Sequence, residues 1–195
     1  MSYNAAHPVV LASSSPQRKA LLQQIGIDPL CVAADIDESR AAGEPAADYV
    51  QRLAAGKCQV VQALHPDAVI IGADTTISAG EHVLGKAADF DEAKEILSLL
   101  SGTQHSVLTG VCVASASARK QLVCETLVEF GPLSDGCIRA YWDSGEPQGK
   151  AGCYAIQGLG AVFVRAINGS YSNVVGLPLH EVSVLLQHFG IKVLE

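Results

Sequence analysis

The chain has 195 residues, 49% of them hydrophobic and 17% charged, enough for one large domain or two lobes with a shared core and too apolar for a disordered segment. Thirteen basic against twenty acidic side chains leave a net charge of −7, which excludes a broad nucleic-acid or anionic-membrane surface. An anionic ligand would therefore need a locally basic pocket, helped by a metal ion, and the first apolar run, Val9 to Ala12, is too short for a signal-peptide core or a membrane span.

In chain order, Val9 to Ala12 reads as a short buried strand. Ser13-Ser-Ser-Pro16 offers N-cap hydroxyls and a proline suited to a first helical turn, and the helix is predicted to reach about Ile25 and stop at Gly26. A second helix is predicted over Ala47 to Leu64, with Tyr49, Val50, Leu53, Ala54, Val60, Val61 and Leu64 on its apolar side and Pro66-Asp67 after it. Ala68 to Ala73 is a continuous apolar run, as in a central strand buried on both faces, delivering Asp74-Thr75-Thr76 at its end.

Ser78 to Glu81 reads as a turn, Asp91 to Leu100 as a short helix capped by Asp91 and stopped by Gly102. His105 to Ala116 and Gln121 to Phe130 alternate like two antiparallel strands. Ser134 to Ser144 is helical, Gly145 to Gly160 is a glycine-rich loop with a short strand at Tyr154 to Ile156, Ala161 to Ile167 is a strand, and Pro178 to Phe189 is a last helix before Gly190. The whole is mixed α/β. The six cysteines show no CxxC pair, so they read as small buried hydrophobes rather than zinc ligands.

Four clusters carry candidate chemistry. Ser13, Ser14 and Ser15 beside a helix N-terminus can hold phosphate oxygens with Arg18 as a clamp, or they can simply cap a helix. Asp35, Asp37 and Glu38 suit a hard cation such as Mg²⁺, or a solvated loop. Asp74, ending a buried strand, needs a partner: a metal, a reacting proton, or the next turn. Gly149 to Gly158 brings Lys150 and Gln157 together with glycines that let a ligand approach backbone, and the Gln157 amide can pair with a pyrimidine edge. Gly80 to Lys86 fits the spacing of a P-loop but is followed by Ala87, lacks its hydroxyl and carries Val83 and Leu84, so no Walker motif is read there. No G-x-S-x-G nucleophile elbow occurs.

Taken together, Leu11 to Leu22, Arg52-Leu-Ala with Lys57, Gly72-Ala-Asp-Thr75, Leu84-Gly-Lys86, Leu100 to His105, Thr109-Gly-Val111, Gly145-Glu-Pro147, Lys150-Ala-Gly152, Tyr154 to Gly158 and Gly169 to Leu179 resemble the successive blocks of the Maf family of nucleoside triphosphate pyrophosphatases. The resemblance spans nearly the full chain and implies a single domain over residues 1–195. It implies an elongated α/β fold similar to that of inosine triphosphate pyrophosphatases, two lobes around a long mixed sheet with the site in the cleft. It also implies Asp74 as proton acceptor for water attacking the α-phosphorus, Glu38 and Asp74 as ligands of Mg²⁺ or Mn²⁺, and Arg18, Lys57 and Lys86 as partners of the triphosphate. Ser13 and Ser15 would add hydrogen bonds.

Asp74-Thr75, Ile156-Gln157 and Ser170 to Asn173 look like the branch acting on dTTP and UTP, with Thr75 and Gln157 at the base. That branch has two arginines after Ser-Pro, whereas Gln17 stands first here, at a position linked to base selection, leaving CTP or modified pyrimidine nucleotides open. The later apolar stretches are broken by Ser, Thr and Gly, which predicts a cytoplasmic protein, and the resemblance further implies a nucleoside triphosphate as the small-molecule partner and the homodimer usual in the family. Two alternatives compete: a non-catalytic nucleotide-binding regulator of cell division, and an inosine or xanthosine triphosphate pyrophosphatase on a similar fold.

Overall fold

The computed structural model describes residues 8–80 and 82–194. Seven strands form one mixed sheet: β1 (Val9–Leu11), β2 (Leu30–Cys31), β3 (Val69–Ala79), β4 (His82–Leu84), β5 (Gln104–Ala114), β6 (Arg119–Phe130) and β7 (Val164–Asn168). Their order is β2-β1-β3-β5-β6-β7, with β4 paired to β3. Pairing is parallel at β1–β2 and β1–β3, antiparallel at β3–β4 and β6–β7. The described residues also form six α-helices: α1 (Pro16–Gln24), α2 (Ala46–Leu64), α3 (Phe90–Leu100), α4 (Asp135–Asp143), α5 (Tyr171–Val175) and α6 (Leu179–Gln187).

Two compact units divide the chain, the first made of residues 8–74, 109–124 and 176–194 and the second of 75–108 and 125–175. In the first, α2 buries Val50, Leu53, Ala54, Lys57, Cys58 and Val61, a stripe with helical spacing, against β1, β3 and β5 residues such as Val10, Ile70 and Cys112. Two glycines allow this close seating. A Cβ on Gly72 of β3 would run into the carbonyl oxygen of Ala54, and one on Gly110 of β5 into that of Val50. The helix therefore rests on bare backbone at two points four residues apart, about one turn.

The second unit has its own core, in which α3 and α4 contribute Ala93, Leu97, Leu100, Ile138 and Tyr141 around Ile77, Val107, Val128, Phe130 and Phe163. Aromatic rings meet edge to face there, as at Tyr141–Phe163 (4.7 Å between centroids) and Phe130–Tyr154 (4.8 Å).

Several sequence expectations need correction. The apolar run from Ala68 does not end at Asp74: β3 continues to Ala79, because the β-branched Thr75, Thr76 and Ile77 extend the strand and Ile77, Ser78 and Ala79 pair with β4. The turn expected at Ser78 to Glu81 shrinks accordingly, with Gly80 after the strand and Glu81 outside the described residues. The cap of α3 is Asp89, whose carboxylate accepts from Glu92 N at 3.0 Å, not Asp91, which lies in the first turn. Tyr154 to Ile156 is not a strand, and Leu159–Phe163 is a 3-10 segment, so β7 starts only at Val164. Val60 and Leu64 stand exposed on α2, since α2 packs with the 50-54-57-61 edge instead. Of the six cysteines, all free, only Cys58, Cys112 and Cys153 are buried; Cys31 is exposed on the short β2.

Candidate active site

The N-terminus of α1 forms as the serines and proline suggest. Pro16 occupies the first turn and Ser15 is the N-cap, its hydroxyl accepting from Arg18 N at 3.4 Å. Ser15 also donates to Gln17 Oε1 at 3.2 Å. The buried Ser13 hydroxyl accepts from Ser15 N at 3.1 Å and from Arg18 Nη1 at 3.3 Å, while Arg18 Nε donates to the carbonyl of Gly176 at 2.9 Å. Arg18 thus links the β1–α1 turn to the segment before α6. Burial pushes its pKa down, and the negative charges of Asp74 and Glu38 oppose that shift.

Lys57 is the centre of this unit's polar chemistry. It occupies a position in the buried stripe of α2, only 7% exposed, and its Nζ lies 2.7 Å from Asp74 Oδ1 and 2.7 Å from Glu38 Oε1. The geometry follows from the glycine seat: Lys57 lies three residues beyond Ala54 on the helix, and Asp74 two residues beyond Gly72 on the same face of the strand. A lysine so placed must find an anion, because an unpaired buried ammonium is prohibitively costly. Its two partners differ in burial, the Glu38 side chain being 50% exposed and that of Asp74 13%.

Glu38 is held from behind by α2. Its carbonyl accepts from Tyr49 Oη at 2.9 Å, and the carbonyl of Ser39 accepts from Arg52 Nη2 at 3.0 Å. Arg52 also clamps Glu44 through two contacts of 2.7 and 2.8 Å, an arrangement that holds the Glu44 carboxyl down at about 2. Two residues earlier, Ile36 reaches Gly56: a Cβ there would stand 3.4 Å from Ile36 Cδ1.

Of the two readings open for Asp35, Asp37 and Glu38, the solvated loop holds for the first two. Asp35 and Asp37 are exposed, and Asp37 accepts from Ser39 N at 2.8 Å instead of facing Lys57; its hydrogen bonds to Ser39 hold its carboxyl below the usual range. Among the described residues no group of three His, Cys, Asp or Glu side chains is arranged to hold a metal ion. What converges is a pair, Glu38 and Asp74, whose oxygens approach a single point filled by the Lys57 ammonium. Two hard carboxylate oxygens aimed at one cation suit Mg²⁺ or Mn²⁺ completed by water and substrate phosphates.

The remaining candidates lie in the second unit. Thr75 follows Asp74 on β3 and is half-buried; Lys86 follows β4 and is exposed; Gln157 is exposed in a turn closed by Gly158 N donating to Ala155 O at 3.1 Å. Gly152 N donates to Gly85 O at 3.0 Å, tying the glycine-rich segment to the residue before Lys86. Sequence patterning places Tyr49 on the apolar side of α2 and gives Tyr49, Arg52 and Gly176 no part in the site. Tyr49 and Arg52 sit one helical turn apart on α2, a spacing that signals a shared face, whereas Gly176 acts only through its carbonyl, which no side-chain pattern reveals.

With this geometry in view, the comparison with known proteins is specific. The family model described as Maf-like protein matches residues 8–189, and the chain belongs to that family. Curated relatives extend over nearly its full length. It is 50% identical over 188 residues to the dTTP/UTP pyrophosphatase of Hahella chejuensis, covering 95% of this chain and 94% of that protein. It is 48% identical over 182 residues to the dTTP/UTP pyrophosphatase of Vibrio parahaemolyticus, covering 93% and 96%. The protein of the same name from Myxococcus xanthus is 49% identical over 183 residues, covering 94% and 93%.

Proposed function

We propose that this chain is a nucleoside triphosphate pyrophosphatase that hydrolyses dTTP and UTP to the nucleoside monophosphate and pyrophosphate. The observation that carries the reading is the Asp74–Lys57–Glu38 triad of charges at 2.7 Å spacing, in a chain whose full-length relatives bear that activity in their names. Pyrophosphatases of this kind work by positioning a water and by neutralising phosphate charge, and the triad supplies groups for both tasks.

In this reading Asp74 accepts the proton of the water that attacks the α-phosphorus. Its place on a buried strand, with a side chain only 13% exposed, holds the carboxylate in a fixed direction. Arg18, Lys57 and Lys86 neutralise the triphosphate and the leaving pyrophosphate, and the Ser13 and Ser15 hydroxyls add hydrogen bonds. Glu38 and Asp74 would hold the Mg²⁺ or Mn²⁺ ion. When bound, that ion supplies further charge neutralisation at the phosphates. Gln157, Thr75 and Gln17 read the base. The six cysteines are all free, which supports a reducing, cytoplasmic setting, and no helix among the described residues is long and apolar enough to cross a membrane.

The test is a panel of dTTP, UTP, CTP, ATP and ITP with Mg²⁺, with the products identified and a chelator added in parallel. Monophosphate and pyrophosphate from dTTP and UTP, abolished by the chelator, are expected. Release of orthophosphate as the first product would remove the pyrophosphatase reading, preference for ITP would favour the inosine-type enzyme, and binding without turnover would leave a regulator.

A further inference from the structure

Within the second unit, the turn that carries Gln157 is fastened by a single carboxylate. Glu146, just beyond α4, accepts from Tyr141 Oη at 2.8 Å and Gly160 N at 3.0 Å through Oε1, and from Leu159 N at 2.9 Å through Oε2. Tyr141 Oη in turn accepts from Ala155 N at 3.0 Å. Three backbone amides, those of Ala155, Leu159 and Gly160, are therefore gathered by one carboxylate and the phenol it holds. They bracket Ile156-Gln157-Gly158 on both sides.

The surroundings are shaped for this clamp. A Cβ on Gly158 would collide with the Glu146 carboxylate, and one on Gly160 would stand 2.7 Å from Tyr141 Oη and 2.8 Å from the Ala155 carbonyl. The Tyr141 ring packs edge to face on Phe163 at 4.7 Å. Tyr154, next to Ala155, is buried with its hydroxyl 2.9 Å from His105 Nε2. Burial alone would push the Glu146 carboxyl up, but the amides of Gly160 and Leu159, the Tyr141 hydroxyl and the charge of Lys150 outweigh it and hold the carboxyl below its usual value. Charge-assisted bonds of this kind are the strong ones. Against this rigid base, the exposed Gln157 side chain extends to solvent directly after the buried Ile156.

We propose that Glu146 is a positioning residue for base selection: it fixes the turn that presents Gln157, and so sets discrimination among nucleobases without itself touching substrate. This rests on the reading of Gln157 as the base contact. A carboxylate is required because the site offers three donors and no acceptor. An amide of the same size must turn one NH₂ toward Leu159 N or toward Gly160 N and Tyr141 Oη, placing donor against donor.

The experiment compares kcat and KM for UTP and ATP in wild type, Glu146→Gln, Gln157→Ala and the double variant, with Glu146→Asp as a second substitution that keeps the charge but is too short to reach both amides. Glu146→Gln is expected to lower the UTP-to-ATP ratio of kcat/KM about tenfold, the scale of one lost hydrogen bond, mainly through a higher KM for UTP. Glu146→Asp is expected to fall between wild type and Glu146→Gln. The double variant should match Gln157→Ala in that ratio, since a residue acting only through Gln157 adds nothing once Gln157 is gone. If Gln157→Ala lowers the ratio and neither Glu146 variant does, or if the two losses add, the positioning role is overturned while the base contact stands. If Gln157→Ala leaves the ratio unchanged, the base contact fails and the proposal fails with it.

Discussion

Lys57 and Asp74 meet at 2.7 Å although they come from a helix and a strand 17 residues apart, and the same ammonium also reaches Glu38. Replacing Asp74 therefore does not strand a buried lysine. Asp74→Asn should keep the fold, with a loss of stability below the about 3–5 kcal/mol typical when a buried charge loses its only partner. Turnover should drop by about 10²- to 10⁴-fold, because an amide of the same shape cannot take a proton. Pyrophosphate release and a urea unfolding curve on the same preparation check both halves. More than about a tenth of wild-type activity would remove Asp74 from the base role.

Gln17 is half-buried and its side-chain oxygen accepts from Ser15 Oγ. It offers both a donor and an acceptor without charge, so cytosine and uracil edges are both acceptable to it. Gln17→Arg is expected to sharpen the preference for dTTP and UTP over CTP by about 1 kcal/mol, one charge-assisted hydrogen bond. Ratios of kcat/KM for the three nucleotides measure it, and an unchanged ratio would show that position 17 does not see the base.

His105 is buried beside Phe130 and Tyr154, and burial lowers its pKa from 6.5 to about 4. Between those values the unfolded chain binds the proton and the folded one does not. Stability from this residue is thus full above about pH 6.5, falls as the pH drops toward 4, and levels off below, at up to about 1.4 kcal/mol per pH unit. His105→Gln keeps a partner for Tyr154 Oη and should flatten the acid side of the urea-midpoint profile. Equal acid sensitivity in both proteins would assign the loss to other groups.

Two glycines of the first unit give opposite expectations. Gly72→Ala forces a methyl against the Ala54 carbonyl, with Cys58 Sγ at 3.0 Å, and should cost about 1–3 kcal/mol while displacing Lys57 and lowering kcat. Gly56→Ala meets only the tip of Ile36 at 3.4 Å, in a helix interior where alanine is favoured by up to about 1 kcal/mol. It should be neutral or stabilising, with activity kept. Thermal unfolding and initial rates on the two variants decide the matter, and a tolerated Gly72→Ala would contradict the tight seat of α2.

Much of this site could be read from the chain itself. Ser15 and Pro16 announced α1, and the residue types around Asp74 announced a buried carboxylate in need of a partner. The identity of that partner was encoded too: Lys57 falls in register with Val50, Ala54 and Val61, and a lysine inside an apolar stripe is a buried cation. The length of β3 is not legible in the same way, because polar threonines mask a strand whose continuation depends on pairing with β4. Glu146 was illegible for a different reason. Besides the Tyr141 hydroxyl, its partners are backbone amides 13 and 14 residues downstream, and amides carry no signature in a string of side chains.

The resting of α2 on Gly72 and Gly110 has a bearing on how this enzyme tolerates change. Main-chain atoms set the height of the helix above the strands, so drift at outward positions such as Val60 and Leu64 leaves the lysine-to-carboxylate spacing untouched. Random substitution across α2, β3 and β5 should therefore divide sharply: broad permissiveness on the outward side of α2, and intolerance at Gly72 and Gly110, two strand positions that contribute no side chain. A library scored for nucleotide turnover would find sequence freedom and geometric rigidity coexisting in the same helix.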